Sequence, residues 1–188
     1  VGSSASASGA SSAAYGTQSM ANGKGAIAVG PGANAGKSNT VGTTDGEREG
    51  TTAVGRVAKA TEAAATAVGW SANASAKNAT ALGYGATASL ADGVALGSNS
   101  VTTTDKGQVG YNPADNRTNK YSDQAGAIGT STLAAVSVGN GTTATRQITG
   151  LAAGTADTDA VNVAQLKNVN LKYAGDTGNN DVLLKDGT

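Results

Sequence analysis

A glycine that returns at nearly fixed spacing constrains this chain more than any other feature. A small residue, a branched aliphatic residue and glycine recur as Ala28-Val29-Gly30, Ala53-Val54-Gly55, Ala67-Val68-Gly69, Ala81-Leu82-Gly83, Ala95-Leu96-Gly97, Ala127-Ile128-Gly129 and Ser137-Val138-Gly139, with Ala14-Tyr15-Gly16 as an aromatic copy. Looser copies close at Gly2, Gly42 and Gly110, and seven of the ten intervals between successive repeat glycines are 13 or 14 residues. Self-similarity on such a period belongs to stacked repeats, in which one unit cannot bury its own face but a pile of units can.

Within each unit the side chains alternate with period two, as on a β-strand. Residues one and three before the glycine share a face, as in Ile27/Val29, Thr52/Val54, Thr66/Val68, Thr80/Leu82 and Val94/Leu96, while Ala28, Ala53, Ala67, Ala81 and Ala95 take the other. Three and five residues after the glycine, small side chains recur as Ala33/Ala35, Ala58/Ala60, Ala72/Ala74 and Ala86/Ala88. Each unit reads as strand, glycine turn, strand, turn: one coil of a two-sided parallel solenoid of the all-β class. The files Val29, Val54, Val68, Leu82, Leu96, Ile128 and Val138 read as its core, so that aspartate at Val68 or Leu82 unfolds the stack. Ten coils at about 4.8 Å make a rod on the order of 50 Å long.

Composition says what such a rod lacks. Apolar residues are 38% of the chain, but aromatics are 3% and Phe is absent. Burial stabilises by about 25 cal/mol per Å² of apolar surface, and alanine has little surface to bury. Stability therefore calls for backbone pairing and for burial against other chains. Thirteen basic and thirteen acidic residues cancel, which leaves no electrostatic footprint for nucleic acid. Cysteine and histidine are absent, removing disulfides, thiolate chemistry and the commonest general base and metal ligand. We therefore expect no catalytic residue, cofactor or metal. No signal peptide is visible at Val1 and no apolar run reaches the roughly 20 residues of a membrane helix, so the chain reads as an internal segment.

The repeat breaks twice. Thr43 to Gly50 brings Asp45, Glu47 and Glu49 around Arg48, which reads as a solvated charged turn in preference to a cation site. Between Gly110 and Gly129 the interval is 19, and Tyr111 to Tyr121 reads as a protruding polar loop. Tyr111, Arg117 and Tyr121 are candidate ligand contacts there, unless the loop is merely a tolerated insertion. Trp70 and Tyr84 each follow a repeat glycine, one coil apart, and should stack. Such a pair either anchors a ligand or covers the edge of the coil stack. The Asn-x-Ser/Thr triplets at Asn73, Asn78, Asn116 and Asn140 read as polar turns.

After Gly139 the regime changes. Asp157, Thr158 and Asp159 are candidate N-caps for a helix of around ten residues, on which Val163 and Leu166 have the spacing of a coiled-coil seam. A helix that short needs partner chains. Residues 170–188 return to short strand-like runs.

Together these regions resemble the YadA-type head and neck of trimeric autotransporter adhesins. The resemblance rests on the Ala-Val/Leu-Gly repeats and, most specifically, on Ala135-Val136-Ser137-Val138-Gly139, Arg146-Gln147-Ile148-Thr149 and Asp159-Ala160-Val161-Asn162-Val163-Ala164-Gln165-Leu166. It implies a left-handed parallel β-roll head over 1–139, a neck leading into a coiled coil over 140–169 and the start of a stalk β-domain over 170–188. It also implies a homotrimer held at the neck by Val163 and Leu166, exposed on the bacterial cell surface and attached to the outer membrane by an anchor outside this segment. The implied partners are host extracellular-matrix proteins, cell surfaces or further copies of itself. The alternative is a spacer that projects another head. Collagen binding in the family is linked to Asn-Ser-Val-Ala rungs; here Asn99-Ser100-Val101 matches in part, with Thr102 in place of alanine.

Overall fold

The computed structural model describes residues 2–36, 49–110 and 129–168. The chain divides into two compact units, Val1–Arg146 and Gln147–Thr188. In the first, each coil contributes one short strand to each of two parallel sheets. One sheet holds β2 (Ala13–Tyr15), β4 (Ile27–Val29), β6 (Thr52–Val54), β8 (Thr66–Val68), β10 (Thr80–Leu82), β12 (Val94–Leu96) and β13 (Val136–Ser137). The other holds β1 (Ser6–Ala7), β3 (Met20–Ala21), β5 (Asn34–Ala35), β7 (Lys59–Ala60), β9 (Asn73–Ala74) and β11 (Thr87–Ala88). Equivalent positions stack in phase, Ala53 on Ala67, Ala67 on Ala81 and Ala81 on Ala95. The expected solenoid is present.

Its interior corrects the expected core. Fully buried are Ala28, Ala53, Ala67, Ala81 and Ala95 from one sheet and Ala33/Ala35, Ala58/Ala60, Ala72/Ala74 and Ala86/Ala88 from the other, with Ala26, Ala65 and Ala79 beside them. Val29, Leu82 and Leu96 are exposed on the outer face of the chain, and Val54, Val68 and Val138 are half-buried. Ile128 lies outside the described residues. The reason is geometric. Strands of two or three residues joined by tight corners enclose a lumen that methyl groups fill, and a branched side chain there would force the sheets apart.

The rod is also shorter than ten coils. Ile27 of β4 pairs directly with Thr52 of β6, with no rung between them, and the Gly42 copy lies outside the described residues. Val94 of β12 pairs with Val136 of β13, while Val109 bridges Thr130 antiparallel. The Gly110 and Gly129 copies therefore stand outside the stack. Seven strands at the usual spacing span about 30 Å.

Two left-handed corners close each coil. Ser4, Gln18, Val57, Ser71 and Asn99 turn one, and Ser11, Ala64, Asn78 and Asp92 the other, all with φ between 51° and 61°. Gly32 and Gly85, and Gly25 and Gly50, take the same corners elsewhere. The repeat glycine is under a harsher constraint. Gly69 has φ +134°, and a Cβ on it would lie 2.6 Å from the carbonyl carbon and oxygen of Gly83 in the next coil.

Among the described residues four interior positions carry a hydroxyl in place of alanine, Ser19, Thr51, Ser100 and Thr102, and the hydroxyls of Ser19, Ser100 and Thr102 are hydrogen-bonded. Where other coils place Ala26, Ala65 and Ala79, the second described segment places Thr51, whose Oγ1 is buried with no hydrogen-bond partner. An unsatisfied buried hydroxyl costs about 1–3 kcal/mol, against which the methyl group returns part. Thr51→Ala should raise stability by about 1 kcal/mol, and a melting temperature that falls instead would contradict this account.

In the second unit, α1 (Val163–Lys167) begins at the N-cap Asn162 and not at Asp157, Thr158 or Asp159. Asn162 Oδ1 accepts the Gln165 N–H at 2.9 Å, and Gln165 Oε1 accepts the Asn162 N–H at 3.2 Å, a reciprocal capping box. Residues 170–188 lie outside the described residues.

Candidate functional site

The coil phase gives the roll unlike faces. Outside the seven-stranded sheet run Ile27, Val29, Val54, Val68, Leu82, Val94 and Leu96, with Tyr15 at one end and Thr52, Thr66 and Thr80 stacked among them. Outside the six-stranded sheet stand Asn34, Lys59, Asn73 and Thr87 beside a single apolar side chain in the same file of strands, Met20. A contiguous apolar face on a surface of this kind marks an association site, whereas a polar face is content in water.

The corner that follows each repeat glycine carries the candidate binding residues. Pro31, Arg56, Trp70, Tyr84 and Ser98 succeed one another there, one coil apart. Trp70 and Tyr84 do come together, edge to face, with centroids 5.3 Å apart and planes at 66°. Both rings remain about half exposed, at 53% and 51%. Arg56, which the spacing argument passed over, places its Cζ 5.4 Å from the Trp70 ring centroid, in cation–π range. Its signal was available, since Arg56 occupies the same position one coil earlier. Tyr111, Arg117 and Tyr121 lie outside the described residues.

Arg146 enters the sequence reading only as part of the Arg146-Gln147-Ile148-Thr149 run, and its contacts add a role that no repeat position encodes. Its guanidinium donates from Nη1 to Val138 O and to Ser100 Oγ (3.1 Å) and from Nη2 to Ser98 O, joining positions nearly fifty residues apart in sequence. It lies over Gly97, where a Cβ would be 3.0 Å from its Cζ. An open cleft lined by Val101, Val138, Gly139, Ala144 and Arg146 adjoins it. Within Asn99-Ser100-Val101, Ser100 faces the interior, its Oγ donating to Leu96 O at 2.7 Å, and Thr102 is buried too.

The opposite corner mixes both signs of charge. Lys24 and Glu49 form an exposed ion pair at 3.1 Å, worth little in water, and Asn78 Nδ2 donates to Asp92 Oδ1 at 2.8 Å. Asp45 and Glu47 lie outside the described residues, and among those described no group of three or more potential metal ligands occurs. Of the Asn-x-Ser/Thr triplets, Asn140 makes a structural turn, its Oδ1 accepting the N–H groups of Thr142, Thr143 and Ala144. Asn73 lies on β9 and not in a turn; Asn116 is outside the described residues.

In the second unit Val163 and Leu166 are both exposed on α1. Gln165 also ties the helix to Gly154, donating to its O at 3.0 Å and accepting its N–H at 3.1 Å. Asp159 accepts from the N–H groups of Ala156 (3.0 Å) and Thr155 (2.8 Å), and these donors hold its carboxyl below the ordinary value of 3.8. A lowered folded-state pKa gives stability that is complete above the ordinary value and lost as pH falls through the lowered one. The Thr155 and Ala156 amide shifts should move together below pH 3.8 and stay flat above about pH 5; a transition at higher pH would contradict this assignment.

Known proteins share these features. A family model for the YadA head domain repeat matches residues 21–41, 49–72 and 74–100, and a model for the coiled stalk of trimeric autotransporter adhesin matches 147–188. The autotransporter adhesin BadA of Bartonella henselae is 52% identical over 69 residues, which are 36% of this chain and 2% of that much longer protein. The solved collagen-binding domain of the Yersinia adhesin YadA is 28% identical, with a TM-score of 0.51 over 87% of this chain and 84% of that one. With head repeat, stalk and coil architecture all accounted for, the chain belongs to the YadA-like trimeric autotransporter adhesins.

Proposed function

We propose that this chain is the head and neck of a bacterial surface adhesin and works by presenting a rigid repetitive surface, with no catalytic step. The observation that carries the reading is the division of labour between faces. Alanine fills the interior, so the Val, Leu and Ile files are left without cover among the described residues. Three copies side by side, apolar sheets inward, would cover them, and Val163 and Leu166 would meet across the neck. The polar sheet and the corners stay free for partners. Three equal weak sites on one particle gain effective concentration without new contacts.

The partners we propose are matrix proteins, host cell surfaces or further copies of the adhesin, with membrane attachment supplied elsewhere in the parent protein. No helix among the described residues is long and apolar enough to cross a membrane. Light scattering should give three times the chain mass, and interferometry against immobilised collagen, fibronectin, laminin and the chain itself should give a saturable response. A monomeric mass would overturn the assembly. Silence against every surface would overturn the adhesive role and leave a spacer.

A further inference from the structure

The apolar face is accounted for by assembly, and the acidic residues of the coils, Glu49, Glu62 and Asp92, all lie at the corner that precedes the repeat glycine. The corner that follows it has another character. Along it come a guanidinium (Arg56), an indole (Trp70), a phenol (Tyr84) and, over Gly97 and Ser98, a second guanidinium (Arg146). Its sequence positions, from Ser3-Ser4 to Ser98-Asn99, include no carboxylate among the described residues.

We propose that this edge binds an acidic polysaccharide, a chain of pyranose rings bearing carboxylate or sulfate groups. The proposal rests on the adhesive reading of the head and adds a ligand class to it. An aromatic face attracts the C–H-rich face of a pyranose, and rings that stay half exposed after stacking on each other still offer that surface. Guanidinium groups supply charge-assisted, forked hydrogen bonds to carboxylate or sulfate. Arg56 already lies against Trp70, so an anion it holds leaves the adjoining ring over the indole. Arg146 spends three of its five N–H donors on Val138, Ser100 and Ser98, and the other two make no bond to the described residues. The one-coil step of about 4.8 Å is close to the length of one sugar residue in a chain, so successive rings can meet successive coils. An acidic peptide would satisfy the arginines but has no repeating apolar face for the two rings.

Trp70 is the single tryptophan of the chain, so its emission reports on this edge without a label. The probes are heparin and hyaluronan tetrasaccharides, which separate sulfate from carboxylate recognition, with dextran and polyglutamate as controls. One or both acidic sugars should shift Trp70 emission saturably and less so at high salt, with no response to either control. By calorimetry, Arg56→Gln and Trp70→Ala should each weaken binding about tenfold, both side chains being exposed enough to replace without unfolding. Flat emission up to about 1 mM sugar, an equal response to dextran or polyglutamate, or unchanged affinity in both variants would overturn the proposal. If the chain still adheres to matrix proteins while Trp70 stays silent, this site falls and the adhesive reading stands; if both are silent, both fall.

Discussion

Gly69→Ala should break the coil stack, lowering the melting temperature by roughly 10 °C or more and destroying its single cooperative transition. Two effects add. The backbone at φ +134° lies where an L side chain is strongly strained, at about 1–3 kcal/mol. The new methyl carbon would also stand 2.6 Å from Gly83 C and O, which are backbone and cannot rotate away. Opening that gap means lengthening the hydrogen bond from Gly83 N to Val68 O, now 2.8 Å, and its neighbours. Because each coil touches only the coils beside it, a defect here splits the pile into two short halves. Gly25→Ala is the control. Gly25 has φ +65° and nothing within 4 Å of an added Cβ, and Ala64 already holds the equivalent corner. Its cost should stay near 1 kcal/mol. Equal melting losses for the two variants would mean that coil contact is not what the repeat glycine protects.

The same glycine shows how far the sequence could be read. Its period located every strand from β2 to β12, because a parallel stack repeats its constraint at each coil. Period alone did not say which face turns inward. Hydrophobicity favours Val68 and Leu82 for burial, but the width of a coil built from two- and three-residue strands admits Ala67 and Ala81. The lumen is a property of both sheets together, and no single strand contains it. Gly110 carries the local signature yet adds no rung, since pairing belongs to the neighbour a strand finds. The cap at Asn162 was readable in Asn162-Val163-Ala164-Gln165, whose ends satisfy each other; Asp159 looked equivalent until its carboxylate turned back to Thr155 and Ala156. Trp70 and Tyr84 followed from spacing, while Arg146 depended on contacts that no periodicity encodes.

Aspartate at two adjacent residues of β10 should then have opposite consequences. Ala81 is fully buried between Ala67 and Ala95, and a carboxylate there would lose its water with no donor to replace it. Burial of an unpaired charge costs several kcal/mol, enough to exceed the net stability of many small domains. Ala81→Asp should therefore give an unfolded or protease-sensitive chain at any concentration. Leu82 is 43% exposed on the outer face, where an aspartate keeps its hydration and costs the isolated coil little. Leu82→Asp should retain the β signature by circular dichroism but fall to monomer mass in light scattering, because three carboxylates would be driven into the face through which we propose the chains associate. The pair thus separates folding from assembly, which the reading of Leu82 as interior could not do. Unfolding by Leu82→Asp at high dilution, where only single chains exist, would return the aliphatic file to the core; a trimer that survives the substitution would move the shared surface to another face of the roll.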